Sequence, residues 1–270
     1  MNNNKTNQQS SQKSEEEKSQ QSSAGELNKI KKVIAVMSGK GGVGKSTVTG
    51  LLAVALKKQG YNVGIMDADI TGPSIPRMFG ISKKPESMEF GIKPPESSTG
   101  IRIMSLNLLL ENEDDPVIWR GPLIANTIKQ FWNDVIWGDL DCLLVDLPPG
   151  TSDAPLTVMQ SLPLNGLIIV SSPQELVGMV VKKAVKMANM MKIPVIGLVE
   201  NYSYALCPKC GEKIAVFGKS RGEIGAKEAE VPYLGSLPID DKLAEACDQG
   251  QIEKFESSET NNMTNWIKLD

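Results

Sequence analysis

The chain contains 270 residues, of which 40% are hydrophobic, and its formal net charge at neutral pH is −3. This length suits one large α/β domain or two smaller ones. The slightly negative charge argues against a nucleic-acid partner, because bulk electrostatic attraction to phosphates needs a basic protein. The sequence contains no histidine, so acid–base or metal chemistry must use Cys, Asp, Glu or Lys side chains.

No membrane or secretion signal is visible in the sequence. A membrane-spanning helix needs about 20 consecutive apolar residues, and no such run occurs. The N-terminus also lacks the apolar segment of a signal peptide. We therefore expect a cytoplasmic protein that has no membrane partner and whose four cysteines are reduced.

Composition divides the chain into three parts. Residues 1–27 are mostly Asn, Gln, Ser, Lys and Glu, and because such a segment cannot bury enough apolar surface to fold, we predict a disordered polar tail. Residues 28–250 alternate apolar runs with helical patterns and form the predicted domain. The acidic residues 251–270 predict a frayed helix or a second tail.

The predicted elements are strands that read as continuous apolar runs and helices with apolar residues at helical spacing. In chain order they are strand Val33–Met37, helix Ser46–Gln59, strand Asn62–Met66, strand Ile101–Leu106, helix Pro122–Trp137, strand Cys142–Val145, helix Pro155–Ser161, strand Leu167–Val170, helix Pro173–Met191, strand Val195–Val199, strand Tyr233–Leu237 and helix Asp241–Gly250. Residues 81–100, rich in proline and serine, predict a surface excursion. The pattern predicts an α/β fold, a mostly parallel sheet of about seven to eight strands with helices on both faces.

A phosphate-binding motif joins the first predicted strand to the first predicted helix. The spacing G-x-x-x-x-G-K-S in this context is that of a P-loop, in which glycines let backbone N–H groups surround phosphates, Lys45 reaches the β/γ oxygens and Ser46 lies on Mg²⁺. The motif does not require Lys40, and a second cation here suggests a second nucleotide that faces the first across a dimer. The predicted ATP-binding residues of the loop are Gly39, Lys40, Gly41, Gly42, Val43, Gly44, Lys45, Ser46 and Thr47.

Carboxylates follow two further predicted strands. Asp67 and Asp69 come after the second strand, and Asp146 ends the fourth. Because these strand ends share one edge of a parallel sheet, the carboxylates can approach Mg²⁺ or orient an attacking water. Gly150, in the loop after Asp146, can present its N–H to a γ-phosphate, and such a loop would reorder on hydrolysis.

Two more residues near strand ends are candidates for contact with the nucleotide base. Asn201 follows the Val195–Val199 strand, and Pro238 lies in the turn after the last strand. Ordinary turn residues fit these two places almost as well. The sequence has no N/T-K-x-D motif of the kind that reads guanine, which favours adenine.

Cys207 and Cys210 form a C-x-x-C pair that can place two thiolates on one ion or cluster. A redox pair would open a helix near the start of a fold, and a zinc ribbon would need a second pair of ligands in the same chain. Two such pairs that meet across a dimer axis supply four thiolates, which suits a [4Fe–4S] cluster. Zinc satisfies the same geometry, so the spacing leaves the metal open. Cys142 and Cys247 are predicted to be small core residues.

These motifs carry a family resemblance. Residues 39–47 closely resemble the deviant Walker A motif of the MinD/ParA/nitrogenase iron protein class, and the match is close to its Mrp/ApbC iron–sulfur carrier ATPases. The resemblance runs from about residue 31 to residue 240. The supporting segments are Asp67–Ser74, Arg120–Pro122, Asp146–Asp153, Glu200–Asn201 and Cys207–Gly211.

The resemblance implies a homodimeric ATPase that holds a labile [4Fe–4S] cluster between its subunits and passes it to apo-proteins. It implies that Lys40 crosses to the partner's nucleotide, that Asp69 positions the hydrolytic water and that Asp146 supports Mg²⁺. The remaining implied roles are phosphate and Mg²⁺ binding by Lys45, Ser46 and Thr47 and cluster ligation by Cys207 and Cys210.

Two other functions compete with this one. A MinD/ParA-like positioning ATPase would act on a membrane or nucleoid, but it would leave the C-x-x-C pair unexplained. Such a protein would be expected to end in a basic amphipathic helix, whereas residues 255–270 are acidic and weakly amphipathic. A dimer stapled by zinc, whose ATPase regulates a partner, is the other alternative.

Overall fold

The computed structural model describes residues 24–69, 72, 74–110, 121–173 and 177–269. Most of the predicted polar tail lies outside these residues. Its last four residues, Ala24–Leu27, form a 3₁₀ turn in which Ala24 is buried. The predicted start of the domain at residue 28 is therefore wrong, because the fold already includes Ala24.

The described chain alternates strands and helices. The strands are β1 (Lys29–Ser38), β2 (Val63–Asp67), β3 (Glu86–Met88), β4 (Gly91–Lys93), β5 (Arg102–Ser105), β6 (Asp139–Asp146), β7 (Gly166–Ser171), β8 (Val195–Leu206), β9 (Lys213–Ile214) and β10 (Tyr233–Ile239). The helices are α1 (Lys45–Lys58), α2 (Ile75–Met78), α3 (Gly121–Asn133), α4 (Asp153–Ser161), α5 (Val177–Met190), α6 (Gly222–Glu228), α7 (Asp241–Asp248) and α8 (Ser258–Thr264).

One sheet organises the molecule, with strand order β10-β8-β7-β1-β6-β2-β5 and with β9 paired to β8. Every pairing along this order is parallel, and the β8–β9 pairing is antiparallel. The predicted mostly parallel sheet of seven to eight strands is confirmed. The carboxyl ends of β1, β2 and β6 lie side by side at one edge, which is where such folds bind ligands.

Alternation along β1 shows how the core is divided. Val33, Ala35 and Met37 pack into one apolar layer, whereas Ile34 and Val36 pack into the layer on the other face of the sheet. Successive side chains of a strand point to opposite faces, so a strand buried on both sides must be apolar at every position. This requirement explains why the strands read as unbroken apolar runs.

The C-terminal segment is part of the core. Residues 252–254 form a 3₁₀ turn and α8 follows, with Ile252, Met263, Ile267 and Leu269 buried against the layer that includes α1. The prediction of a frayed helix or tail over residues 251–270 is therefore wrong for residues 251–269, because apolar burial anchors them.

Several bounds also differ from the predicted ones. The predicted excursion over residues 81–100 contains the β3–β4 hairpin, and the strand predicted over Val195–Val199 continues seven residues further, to Leu206. The helix predicted over Pro122–Trp137 ends at Asn133. Among the described residues, no helix is both long and apolar enough to cross a membrane.

Candidate functional site

The P-loop occupies the turn between β1 and α1. Gly42 has a φ angle of 82° and Gly44 one of 77°, both in the left-handed region that side chains disfavour. Gly44 is the N-cap of α1, so the helix begins at Lys45 and points its N-terminal N–H groups towards the loop. A β-carbon on Gly39 would lie 1.7 Å from Cγ1 of Val180 in α5. Steric fit thus requires glycine at Gly39, and backbone conformation favours it at Gly42 and Gly44.

Asp146, at the end of β6, gathers the polar side chains at the start of α1. Its Oδ2 accepts a hydrogen bond from Lys45 Nζ at 2.7 Å and one from Ser46 Oγ at 2.5 Å. Thr49 Oγ1 donates to Oδ1 at 2.8 Å. Lys45 is only 5% exposed and Asp146 is fully buried, so neither charge is balanced by water. Thr49 was not among the predicted site residues. Its position one turn after Lys45, on the buried side of α1, was the signal that could have indicated it.

Two further carboxylates lie beside this cluster. Asp69 Oδ2 is 3.5 Å from Lys45 Nζ, and Asp67 accepts hydrogen bonds from the Asp69 N–H and from Ser105 Oγ, each at 3.1 Å. Burial, together with the nearby Asp146 charge, raises the pKa of Asp67 to about 8, although Lys45 opposes the shift. The structure therefore brings together three aspartates around a single buried lysine.

The donors of this cluster fit Mg²⁺ when phosphate oxygens complete the shell. Carboxylate and hydroxyl oxygens are the ligands that Mg²⁺ prefers, and in nucleotide sites it usually takes only one or two from the protein. Among the described residues, no group of three or more Cys, Asp or Glu side chains is arranged to hold a metal ion by itself. The cluster thus suits a metal that enters with a nucleotide.

Lys40 differs from Lys45 in its exposure to solvent and in its ion pairing. It is exposed on the loop, and its ammonium group makes no ion pair with the described residues. Its carbonyl oxygen accepts a hydrogen bond from Ser38 Oγ at 2.9 Å. The backbone at Lys40 is therefore tied down while its side chain is available to another molecule.

Gly150 lies near the P-loop, but its N–H is already engaged. It has a φ angle of 95°, and its N–H donates to the Ser38 carbonyl at 2.9 Å. A contact between this N–H and a γ-phosphate would require that hydrogen bond to break.

Asn201 and Pro238 fall in different surroundings. Asn201 is 2% exposed, and its Nδ2 donates to the Val43 carbonyl of the P-loop at 2.9 Å. Pro238 lies in β10, in register with Tyr204 of β8 and thus one strand further from β1. Contact with a base stays a prediction for both residues, and the amide of Asn201 supports the loop itself.

The C-x-x-C pair lies in the tight turn between β8 and β9. The Cys207 N–H donates to the Glu212 carbonyl and the Gly211 N–H donates to the Cys207 carbonyl, both at 2.9 Å. Cys207 is half-buried, Cys210 is exposed, and both thiols are free. Hydrogen bonds from the backbone N–H groups of Lys209 and Cys210, and from the Cys210 thiol, lower the pKa of Cys207. The turn therefore stabilises the thiolate form that metals bind.

The surroundings of this turn are apolar and exposed. Leu206 is 53% exposed and Phe217 is 41% exposed, and all residues from 208 to 221 are exposed. We call residues 206–221 the cysteine hairpin. Its exposed large apolar side chains are Leu206, Ile214, Val216 and Phe217.

The other two cysteines lie outside the cysteine hairpin, within the fold. Cys142 is fully buried, and burial raises the pKa of its thiol to about 12. Cys247 packs against the core, and burial raises the pKa of its thiol to about 11. The prediction of a core position is confirmed for Cys142, whereas Cys247 is only partly buried. The cysteine hairpin therefore offers two thiols per chain for a metal or cluster.

Comparison with known families places the chain. A family model described as ParA, NUBPL iron-transfer P-loop NTPase, matches residues 29–269. The chain belongs to this family. The predicted family, deviant Walker A P-loop NTPases that include iron–sulfur carriers, is therefore confirmed.

Relatives of similar length carry consistent names. An iron–sulfur cluster carrier protein of Clostridium perfringens is 51% identical over 234 residues, which are 84% of this chain and 82% of the relative. Another, from Methanocaldococcus jannaschii, is 50% identical over 226 residues, 83% of this chain and 78% of the relative.

Solved structures agree with the fold. A nucleotide-binding protein from Archaeoglobus fulgidus in complex with ADP superposes with a TM-score of 0.79 at 48% identity, covering 86% of this chain and 92% of that one. MinD from Pyrococcus horikoshii, complexed with Mg-ADP, gives a TM-score of 0.56 at 21% identity, covering 88% and 94%. The second likeness shows the fold alone.

Proposed function

We propose that this protein is a slow ATPase that carries a [4Fe–4S] cluster between two copies of the chain and transfers it to apo-proteins. The observation that carries the proposal is the exposed cysteine hairpin, which presents two free thiols. The same chain also contains all the residues of the P-loop motif. The names of the relatives at about 50% identity support the cargo.

The nucleotide half of the proposal depends on the aspartate cluster. When phosphate binds, the Lys45 ammonium must donate hydrogen bonds to both Asp146 and the phosphate oxygens. Ser46 already donates a hydrogen bond to the same carboxylate. Mg²⁺ would be held by Ser46 and Asp146, with Asp67 behind them, and would neutralise charge on the phosphates. Asp69, whose carboxylate lies 3.5 Å from Lys45 Nζ, would orient the attacking water. The ADP complex of the Archaeoglobus relative supports nucleotide binding by the loop.

The cargo half depends on ligand number. A [4Fe–4S] cluster takes four thiolates, and each chain offers Cys207 and Cys210. Two copies related by a two-fold axis supply the full set. The exposed apolar side chains beside the cysteines give the second copy a surface to cover.

The positioning-ATPase alternative leaves the free thiols of Cys207 and Cys210 without a role. The MinD structures share the fold at 21% identity or less, which carries no function.

Anaerobic reconstitution with iron and sulfide tests the cargo. The wild type should gain the broad absorbance of a [4Fe–4S] cluster and pass it to an apo-ferredoxin, whereas the Cys207→Ala/Cys210→Ala variant should gain none. Tight stoichiometric zinc binding by the wild type, with no cluster formed, would instead point to the zinc-stapled regulatory dimer. The Cys247→Ser variant is the matched control, because that thiol lies on α7 outside the cysteine hairpin.

A further inference from the structure

Strand β8 contains an irregularity between the P-loop and the cysteines. Ser236 of β10 pairs with Glu200, and Pro238 pairs with Tyr204. One residue of β10 therefore faces three residues of β8, and we call the segment Glu200–Tyr204 the bulge. Tyr202, at its centre, has a φ angle of 56°, a left-handed conformation that a residue with a β-carbon adopts only where its surroundings impose it.

One side of the bulge is attached to the P-loop. Asn201 Nδ2 donates to the Val43 carbonyl at 2.9 Å. A β-carbon built on Gly44 would lie 2.2 Å from that same Nδ2 and 2.8 Å from the Tyr202 hydroxyl. The two side chains therefore fill the space directly behind Gly44, and the P-loop cannot shift there without moving them.

The other side of the bulge is attached to both ends of the cysteine hairpin. The strand runs on without interruption from the bulge to Leu206, the residue before Cys207. At the far end, the Arg221 N–H donates to Glu200 Oε1 at 2.9 Å, while Ser203 Oγ donates to Glu200 Oε2 at 2.6 Å. Glu200 is fully buried. Water therefore cannot replace the two groups that donate hydrogen bonds to its carboxylate.

We propose that the bulge is a positioning device through which phosphate occupancy of the P-loop sets the geometry of Cys207 and Cys210. Tyr202 lies against Gly44 and is displaced when the P-loop moves. Glu200 transmits this displacement of the bulge to Arg221, at the far end of the cysteine hairpin. A strained residue held by contacts on both sides can exchange between two arrangements, and a ligand shifts that exchange by its difference in affinity for them. The inference deepens the proposed function, because it assigns a regulatory input to the cysteines.

The test measures thiol reactivity, which needs no metal. In a Cys247→Ser background, iodoacetamide alkylation of Cys207 and Cys210 is followed by peptide mass spectrometry without nucleotide and with saturating ADP or a non-hydrolysable ATP analogue. Protein concentrations are kept where sedimentation shows single chains, so that burial by a second copy does not contribute. We expect nucleotide to change the alkylation rate at least about fivefold, the lower end of usual coupling between sites.

Variants of the bulge should remove this response. Tyr202→Gly relieves the left-handed strain and deletes the ring behind Gly44, and Ser203→Ala removes a single hydrogen bond to Glu200. In both variants, the alkylation rate should be the same with and without saturating nucleotide. Glu200→Gln keeps an acceptor for the Arg221 N–H and should therefore retain part of the wild-type response. Glu253→Gln is the matched control, since Glu253 is also a buried carboxylate that accepts a hydroxyl bond, from Ser97 at 2.6 Å.

A wild-type rate that nucleotide leaves unchanged would overturn the proposal, as would an undiminished response in Tyr202→Gly and Ser203→Ala. These outcomes are separate from failure of the proposed cargo. A chain that reconstitutes with zinc and not with a cluster still possesses the two thiols, and their response to nucleotide can still be measured.

Discussion

The P-loop contacts Asn201, and residues 201–207 connect that contact to the cysteine hairpin. The P-loop and the cysteine hairpin are nevertheless built in contrasting ways. Around the P-loop, the buried charged groups are paired within one chain, with Lys45 paired to Asp146 and Asp69. In the cysteine hairpin, Cys207 is half-buried and residues 208–221 are exposed, and the two thiols have no metal-binding partner among the described residues. The contrast indicates that the nucleotide loop is organised by folding within one chain, and it supports the proposal that association of two copies completes the cysteine site.

Removing the buried lysine should have the largest effect. Lys45→Ala leaves the fully buried Asp146 without its cation, and breaking a buried pair in this way typically costs about 3–5 kcal/mol. We expect a lowered midpoint in urea unfolding and no measurable ATP binding. A variant as stable as the wild type would show that the charge at Asp146 is not compensated by Lys45.

Removing the exposed lysine should leave the fold intact and impair turnover. Lys40→Ala should retain wild-type stability and most nucleotide affinity, while ATP hydrolysis falls about a thousandfold or more, as when a cation supplied in trans is lost. Stability, nucleotide affinity and turnover are measured on the same preparation. The control is Lys129→Ala, an exposed lysine on α3, and equal turnover in both variants would contradict the role in trans.

The raised pKa of Asp67 predicts that the stability of the fold depends on pH. Because the pKa is about 8 in the fold against 3.8 ordinarily, the folded state binds the proton more tightly, and stability falls as pH rises from about 4 to about 8. Asp67→Asn should lose this dependence, so its stability relative to the wild type should increase with pH by at most about 1.4 kcal/mol per pH unit. Parallel unfolding curves for the two proteins from pH 5 to pH 8 would refute the shift.

The smallest effect on folding is expected in the cysteine hairpin. Phe217→Ser changes an exposed side chain, and such substitutions usually alter stability by no more than about 0.5 kcal/mol. The variant should nevertheless associate more weakly after reconstitution, as measured by sedimentation. The control is Phe90→Ser, an exposed phenylalanine in the turn of the β3–β4 hairpin, and equal association of the two variants would exclude the cysteine hairpin as the contact surface.

The candidate residues identified from the sequence belong to motifs that are contiguous along the chain. The glycines and Lys45 of the P-loop, and the pair Cys207 and Cys210, are recognisable because the chemistry depends on spacing along the chain. No role was predicted for the side chains of Thr49, Glu200 and Tyr202, since their importance comes from tertiary contacts with Asp146, Arg221 and Gly44. No local pattern encodes those contacts.

The C-terminal segment shows a different limit. Its acidic composition predicted a tail, yet Ile252, Met263, Ile267 and Leu269 bury their side chains against α1. These four residues are irregularly spaced, so neither the helical nor the strand period indicates them. The central strands were predicted correctly because burial on both faces forces unbroken apolar runs.

Native mass spectrometry of the anaerobically reconstituted protein measures directly whether the cysteine site is completed by association. We predict a species of two chains that holds one [4Fe–4S] cluster, and its conversion to single chains without iron in the Cys207→Ala/Cys210→Ala variant. A single chain that retains a complete cluster, or a two-chain species whose iron content is unaffected by that variant, would contradict the division of the site between two copies.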